Sequence, residues 1–544
     1  MALGSRVFAA LLHAPPALTR DVDVQRDVAV ATPDGTSLVT DLYLGRSREP
    51  LPTVLIRCPY GRRAVHGLSA RMFAERGYHA VVQSTRGTFG SGGQLDFDSE
   101  AADGRAAADW IVDRDWSNGE IASFGASYLS FTQLALASTK PPQLKAMAIG
   151  VWAAERRAAT YPGGSFALDR ALTWTYVMEK QERSRLAFMR MERALQPAFG
   201  HLPLIDADTL ATGHPVGFYR AWLEHDQPGD PYWQPTDFRP VLRDLGVPVT
   251  MIAGWYDIFL PYMLADYQTL REHGQDVRLR VGPWRHSSPD VLRYGFRDAL
   301  GWFDTHLRHQ PGPRHDPVRV EVMGGGGWRG LRQWPPPAST QRWHLQPGQA
   351  LATAPPPACE PDRYRYDPAD PTPAVGGSTL SQNSGPKDNR ALEQRADVLT
   401  YTSAPVGSAL EIVGPVTAEL HVASSSAHTD FFARLCDVDP KGKSVNVTDG
   451  LLRLTEGGPR QIRVDLWPVA HRFGPGHRIR LQVSSGAHPR YARNPGTGEP
   501  LATAASLMAA DQAVYHDRER PSAVLLPVRT RENQTVKKLT QRDT

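Results

Sequence analysis

The sequence predicts an α/β protein followed by an all-β part. Short apolar runs alternate with helix-forming segments from Thr53 to Gly150 and return at Val247–Gly254 and Val277–Gly282, the order expected of a mostly parallel sheet with helices on both faces. Between them, residues 151–240 lose the alternation and are rich in Trp, Tyr, Arg and Ala, as in LDRALTWTYVMEKQERSRLAFMRMERAL, which reads as a helical insertion. Beyond Pro311-Gly312-Pro313 the segments VRVEVMG, TAELHVASS, DFFARLCDVD, QIRVDLW and RIRLQVSSG alternate with period two, separated by Gly, Pro and Asp turns.

At 544 residues the chain is longer than one hydrophobic core usually supports. The pattern divides it into an α/β domain in two parts, 1–150 and 241–313, a helical cap at 151–240, and a β-sandwich of jelly-roll type at 314–544. Taken in order, the apolar run Val7–Leu12 is too short for a secretory signal and is broken by His13 and two prolines, so it reads as a short helix packed on the body. Val22–Leu44 alternates around a turn at Asp34-Gly35, a β-hairpin. Thr53–Ile56 and His79–Gln83 are short buried strands with a helix over 70–76 between them, and a second helix covers 99–112. The turn Trp116-Ser117-Asn118-Gly119 leads into a strand at Ile121–Phe124, and Leu144–Gly150 is the next strand. In the C-terminal part Ile479, Leu481 and Val483 share one strand face while Arg478, Arg480 and Gln482 share the other. Residues 354–396, rich in Pro, Asp and Gly, read as a long ordered loop.

Composition narrows the function. A net charge of +4 over this length does not make a nucleic-acid surface. Cys58, Cys359 and Cys436 are odd in number and far apart, against a disulfide framework or a zinc site, and point to a reducing, cytoplasmic compartment. No stretch reaches the roughly 18 apolar residues of a spanning helix, so no membrane partner is expected.

The chemistry centres on GEIASFGASYLSFTQLALA, 119–137. Ser127 sits between an apolar strand and a run of helix formers, with Gly125 two residues before it: the nucleophile elbow of α/β-hydrolases, which lifts the hydroxyl out of the sheet. The pattern G-x-S-x-G asks for a small residue where this chain has Leu129. A serine nucleophile needs a histidine to take its proton and an acid to orient that histidine, in the order Ser, acid, His. The strand PVTMIAG runs into Trp255-Tyr256-Asp257, and VRLRVGP into Trp284-Arg285-His286, so both candidates fall at the carboxyl edge of the sheet. The oxyanion needs two donors. The N–H of Tyr128 follows from the elbow, and the Tyr60 hydroxyl is the best polar candidate in the loop Arg57-Cys58-Pro59-Tyr60-Gly61-Arg62. Lys441-Gly442-Lys443-Ser444 lacks the earlier glycine of a phosphate loop, and His306 and His309 lack a third ligand; no metal or organic cofactor is required.

These residues resemble the cocaine esterase-like hydrolases, related to the X-Pro dipeptidyl-peptidases and α-amino ester hydrolases. The matching stretches are CPYGR at 58–62, QSTRGTFGSGG at 83–93, WSNGEIASFGASYLS at 116–130, GWYD at 254–257 and GPWRHS at 282–287, with MGGGGWRGLRQWPPP at 323–337 and VSSGAHPRYARN at 483–494 further on. The resemblance implies an α/β-hydrolase domain, a helical cap and a C-terminal jelly roll. It puts Ser127, Asp257 and His286 on the family's triad and Tyr60 on its oxyanion tyrosine. Two positions depart from the family: Ser130 replaces a usual Gly, and the Asp-Gly-x-Asp segment reads Asp103-Gly104-Arg105-Ala106, whose acid is expected to be structural. Relatives acting on α-amino esters carry carboxylates after the triad acid, whereas this chain reads Ile258-Phe259-Leu260, favouring an uncharged or apolar acyl group. Phe259 matches an acyl-pocket aromatic of the family, with Trp152 and Trp174 as companions.

The expected activity is therefore hydrolysis of a small-molecule carboxylic ester through an acyl-enzyme, by a protein that can assemble as a homo-oligomer. The alternatives are release of X-Pro dipeptides or amide acylase activity, which needs an anionic site for a free amino end, and a non-enzymatic binding protein built on the β-sandwich. A filled set of triad positions argues against the last.

Overall fold

The computed structural model describes residues 2–183, 187–312 and 315–529. The chain divides into two compact units, the first from Met1–Arg157, Pro231–Gly254 and Tyr262–Pro317, the second from Ala158–Asp230, Trp255–Pro261 and Val318–Thr544. Residues 313–314, at the end of the proline-rich break, and residues 184–186 of the helical insertion lie outside the described residues. Among the described residues no helix is long and apolar enough to cross a membrane.

The first unit is built on β1 (Val22–Ala31), β2 (Ser37–Gly45), β3 (Leu51–Cys58), β4 (His79–Ser84), β5 (Ser117–Ala126), β6 (Leu144–Gly150), β7 (Val249–Tyr256, its last two residues in the second unit) and β8 (Val277–Arg285). They lie side by side in the order β1-β2-β4-β3-β5-β6-β7-β8. The β1–β2 hairpin is antiparallel and turns at Gly35, whose φ of 84° suits a residue without Cβ. β2 is antiparallel to β4, and from β4 through β3, β5 and β6 to β7 the pairing is parallel. Such strands are covered on both faces and read as continuous apolar runs, which is why β4 is buried at every residue.

On one face Val54, Ile56, Ala122, Phe124, Ala146 and Ala148 meet Phe73 of the helix Ala64–Ala74 and Phe296, Ala299 and Phe303 of the helix Pro289–Leu307. The Phe73 ring stands 5.1 Å from Phe124 and 4.6 Å from Phe296. The Ala64–Ala74 helix starts six residues before the predicted one; Val65 and Gly67 are poor helix formers and leave its first turn without a sequence signal. Gly67 is there for space: a Cβ would stand 2.4 Å from the Tyr43 hydroxyl. The helices Glu100–Val112 and Tyr128–Ser138 complete the β4–β5 and β5–β6 crossovers.

The second unit holds the helices Leu168–Lys180, Ala187–Phe199, Ala207–Thr212 and Gly217–Glu224 of the insertion. It also holds the C-terminal strands β9 (Val318–Val322), β10 (Gly327–Leu331), β11 (Ser339–Gln346), β12 (Ala350–Ala352), β13 (Asp362–Tyr366), β14 (Leu399–Ser403) and β15 (Leu410–Ser424). These continue with β16 (Thr429–Val438), β17 (Ser444–Leu454), β18 (Arg460–Phe473), β19 (Arg478–Ser484), β20 (Ala510–Tyr515) and β21 (Ala523–Val528). Strands β11–β21 pair in the order β13-β20-β15-β21-β11-β12-β14-β19-β16-β17, with β18 on β15. Two local expectations change. The stretch 354–396 contains β13, whose Tyr364 and Tyr366 are buried and whose five residues pair with β20; a strand this short inside a Pro/Asp/Gly-rich stretch leaves almost no periodic signal. On β19 Ile479, Leu481 and Val483 are buried as predicted, but Gln482 is buried too, its amide donating to Glu393 at 2.8 Å and to the Cys436 sulfur at 3.3 Å.

Candidate active site

β5 ends at Ala126 and a helix begins at Tyr128, leaving Ser127 alone to make the turn. Its φ of 60° and ψ of −129° lie where a residue with a side chain is strained, the kind of geometry that persists at functional sites. Gly125 makes room for it. At its φ of 150° a Cβ would stand 2.3 Å from the Leu129 Cβ and 2.7 Å from its Cδ2, so positions 125 and 129 are fitted to each other. The Ser127 N–H donates to the Gly150 carbonyl at 2.8 Å, tying the turn to the end of β6.

Two buried polar side chains of the elbow helix hold this corner. The Ser130 hydroxyl lies 2.9 Å from the carbonyls of Gly125 and Gly150 and accepts the Gly150 N–H at 2.9 Å. The Gln133 amide nitrogen lies 3.1 Å from the carbonyls of Gly125, Leu129 and Ala148, while its oxygen accepts the Ser123 hydroxyl at 2.9 Å. A hydroxyl in place of a usual glycine therefore fastens the ends of β5 and β6 together rather than only filling space. Gln133 went unnoticed in the sequence; its one signal is a polar residue three after Ser130, on the same face of an otherwise apolar helix.

His286 follows the last residue of β8, and its Nε2 lies 3.0 Å from the Ser127 Oγ. The loop that carries it is fixed by the Ser288 hydroxyl, which accepts the Arg285 N–H at 2.9 Å before the helix starts at Pro289. Asp257 follows the last residue of β7; it is fully buried, belongs to the second unit, and accepts the Phe259 N–H at 2.8 Å.

Tyr60 lies in the loop after β3, half-buried, its ring stacked on His66. The next residue pins the loop: the Gly61 carbonyl accepts from the Cys58 thiol at 3.3 Å and from His66 Nδ1 at 3.0 Å, which requires the proton on Nδ1. Gly61 has a φ of 88°, and a Cβ there would come within 2.9 Å of the Phe89 ring in the glycine-rich loop 87–93. Tyr128 opens the elbow helix, so its N–H belongs to the first turn, where backbone donors have no partner within the helix. Its phenol donates to Glu100 at 2.9 Å, and Glu100 accepts from Arg57 at 2.7 Å. Burial pushes the Glu100 carboxyl up against the pull of Arg57, and burial beside Glu100 pushes the Tyr128 phenol well above its usual value, so Tyr128 stays a neutral donor. Asp103 is buried and accepts two hydrogen bonds from Arg86, at 3.1 and 2.6 Å.

The three aromatic candidates fall in different surroundings. Trp152, in the first unit, packs 5.8 Å from Phe131. In the second, Phe259 lies under the Arg170 guanidinium at 5.4 Å, and Trp174 packs between Phe218 at 5.1 Å and Trp222 at 5.7 Å. Tyr60 and His286 share a cavity of about 440 Å³ in the first unit. Among the described residues no group of three or more His, Cys, Asp or Glu could hold a metal ion.

A strained serine between strand and helix, with a histidine from the end of β8 on its hydroxyl and a sheet of this strand order, defines an α/β-hydrolase of the serine type. Residues 34–288 match the family model described as X-Pro dipeptidyl-peptidase (S15 family), and residues 313–525 match the X-Pro dipeptidyl-peptidase C-terminal non-catalytic domain. Over 571 aligned residues the chain is 31% identical to the cocaine esterase of Rhodococcus sp. (strain MB1 Bresler), covering 93% of this chain and 98% of that one. The chain belongs to the cocaine esterase-like family of serine ester hydrolases. Among solved structures, an α-amino acid ester hydrolase superposes with a TM-score of 0.79 at 25% identity, covering 95% of this chain and 98% of that one. An aminopeptidase from a marine-sediment Thaumarchaeota archaeon superposes with a TM-score of 0.80 at 22% identity, covering 94% and 97%, a likeness of fold.

Proposed function

We propose that the protein cleaves carboxylic esters with an uncharged or apolar acyl group, through an acyl-enzyme on Ser127. The observation that carries this reading is the 3.0 Å approach of His286 Nε2 to the Ser127 hydroxyl at a strained elbow. His286 takes the proton as Ser127 attacks and returns it to the departing alcohol; Asp257, assigned by its place after β7 and by the order Ser, acid, His, orients His286. The Tyr60 hydroxyl and the Tyr128 N–H receive the oxyanion. Phe259, Trp152 and Trp174 are assigned to the acyl group. We assign hydrolase halves to 1–150 and 241–313, a cap to 151–240 and a jelly roll to 314–544, and the three free cysteines favour a cytoplasmic location.

The names of the two matching family models favour a second reading, release of X-Pro dipeptides. Recognition of a free amino end calls for a carboxylate, and the residues after Asp257, Ile258-Phe259-Leu260, are apolar and buried, which supports the ester instead. A fluorophosphonate probe, followed by 4-nitrophenyl esters against Gly-Pro-anilide, tests both. Wild type labels and prefers the esters, whereas Ser127→Ala fails to label and loses roughly a million-fold in kcat, the usual cost of a triad nucleophile. Labelling that survives in Ser127→Ala would remove the assignment, and a preference for the anilide would move it to the peptidase.

A further inference from the structure

A cavity lies beside Tyr60 and His286. Its volume is about 440 Å³, within the range of small-molecule sites, and its wall consists entirely of first-unit residues. It lies on the sheet face covered by the helices Ala64–Ala74 and Pro289–Leu307, and is lined by Phe124 and Ala148 from near the ends of β5 and β6 and by Ile252 of β7. From the second helix, Val291, Leu292, Gly295 and Asp298 face it, the spacing of one helical stripe. Asp298 is the one carboxylate in the wall and receives both arms of Arg280, at 2.6 and 2.9 Å, so its charge is balanced within the protein. The other polar side chains of the wall are hydroxyls and the two rings of His66 and His286. The site suits an uncharged, apolar group.

We propose that this cavity receives the alcohol portion of the ester and gives the enzyme a preference for extended apolar alcohols, an inference that rests on the ester-hydrolase reading. In acylation the Ser127 Oγ bonds to the carbonyl carbon, its proton passes to His286 Nε2, the bond from that carbon to the alcohol oxygen breaks, and the same proton goes to that oxygen. The alcohol oxygen must therefore come within hydrogen-bond reach of Nε2 of His286, a residue that lines the cavity. Tyr60, assigned to the carbonyl oxygen, lines it too, so the two side chains that flank the reacting ester both border the cavity.

Gly295 gives a direct way to fill it. It lies inside the Pro289–Leu307 helix without a positive φ, and a Cβ would meet only Ile252 Cγ2 at 3.5 Å and Cδ1 at 3.9 Å, ordinary contact. Alkyl acetates (methyl, butyl, octyl) and methyl alkanoates (acetate to octanoate) are assayed with wild type, Gly295→Ala and Gly295→Leu, alongside fluorophosphonate labelling. For wild type, kcat/KM is expected to rise along the acetate series. Gly295→Leu lowers the octyl-to-methyl acetate ratio at least tenfold, Gly295→Ala lowers it less, and neither changes the acyl-chain ratio. If Gly295→Leu does not fold, Val291→Phe, one turn earlier on the same face, replaces it. A wild-type rate that is flat in alcohol length, or a substitution that changes both series alike, with Ser127 still labelled, overturns the cavity assignment alone. No labelling and no ester turnover overturns the hydrolase reading with it.

Discussion

The roles proposed for Tyr60 and Ser130 each rest on a single hydroxyl. Tyr60→Phe keeps the ring on His66 and removes only the donor, so kcat should fall on the order of a hundred- to a thousand-fold with fluorophosphonate labelling retained but slower. A decrease of less than about threefold would take Tyr60 out of the oxyanion hole. Ser130 is a positioning residue. Ser130→Ala leaves the buried Gly150 N–H without its hydroxyl acceptor, a loss of roughly 1–3 kcal/mol, and loosens the carbonyl that also receives the Ser127 N–H. The expected result is a lowered urea midpoint together with a reduced kcat at nearly constant KM. Ser130→Thr, which retains the hydroxyl, should recover kcat before stability; a purely structural role would lower the midpoint and leave kcat alone.

At the scale of elements, the elbow is a joint between β5 and its helix in which Gly125 and Leu129 are fitted to each other. Gly125→Ala puts a Cβ 2.3 Å from the Leu129 Cβ, at a φ of 150°. We expect little folded enzyme from that variant, and more from Gly125→Ala/Leu129→Gly, which removes the Cβ that the new methyl would meet. Residues in such contact couple by about 0.5–3 kcal/mol, and additive effects in the double-mutant cycle would refute the fit. This pair also marks where the sequence was legible. Ser127 and His286 could be placed because each stands just after an apolar run whose strand character is plain, and the structure brings them to 3.0 Å. The start of the Ala64–Ala74 helix, the strand β13, buried Gln482 and the clamp of Ser130 and Gln133 were not legible. In each case a residue that reads locally as breaker, loop or surface is explained by a contact distant in sequence, such as Gly67 against Tyr43 or Gln482 against Glu393.

For the whole molecule, sequence character follows local structure while compactness follows contacts, so the helices of 158–230 share a unit with the C-terminal strands although no periodicity links them. Stability as a function of pH is a property at this scale, and Asp266 gives a way to read it. Its carboxylate accepts the Ala154 N–H at 2.8 Å, joining the chain after β6 to the helix Leu260–Glu272. Burial pushes its pKa from 3.8 up to about 7, Glu155 and Asp237 add to the rise, and Ala154 N–H and Arg239 oppose it. Because the folded-state value is the raised one, the folded protein holds a proton over roughly pH 4 to 7 that the unfolded chain has released. The stabilisation is complete below the unfolded value and is lost as pH rises through about 7. Asp266→Asn keeps an oxygen for the Ala154 N–H and cannot ionise. Its stability relative to wild type should therefore be higher at pH 8 than at pH 5, on the order of one to a few kcal/mol at about 1.4 kcal/mol per pKa unit. Urea midpoints of the two proteins at both pH values measure this difference. An equal offset at pH 5 and pH 8 would mean that Asp266 ionises in the folded protein as readily as in the unfolded chain.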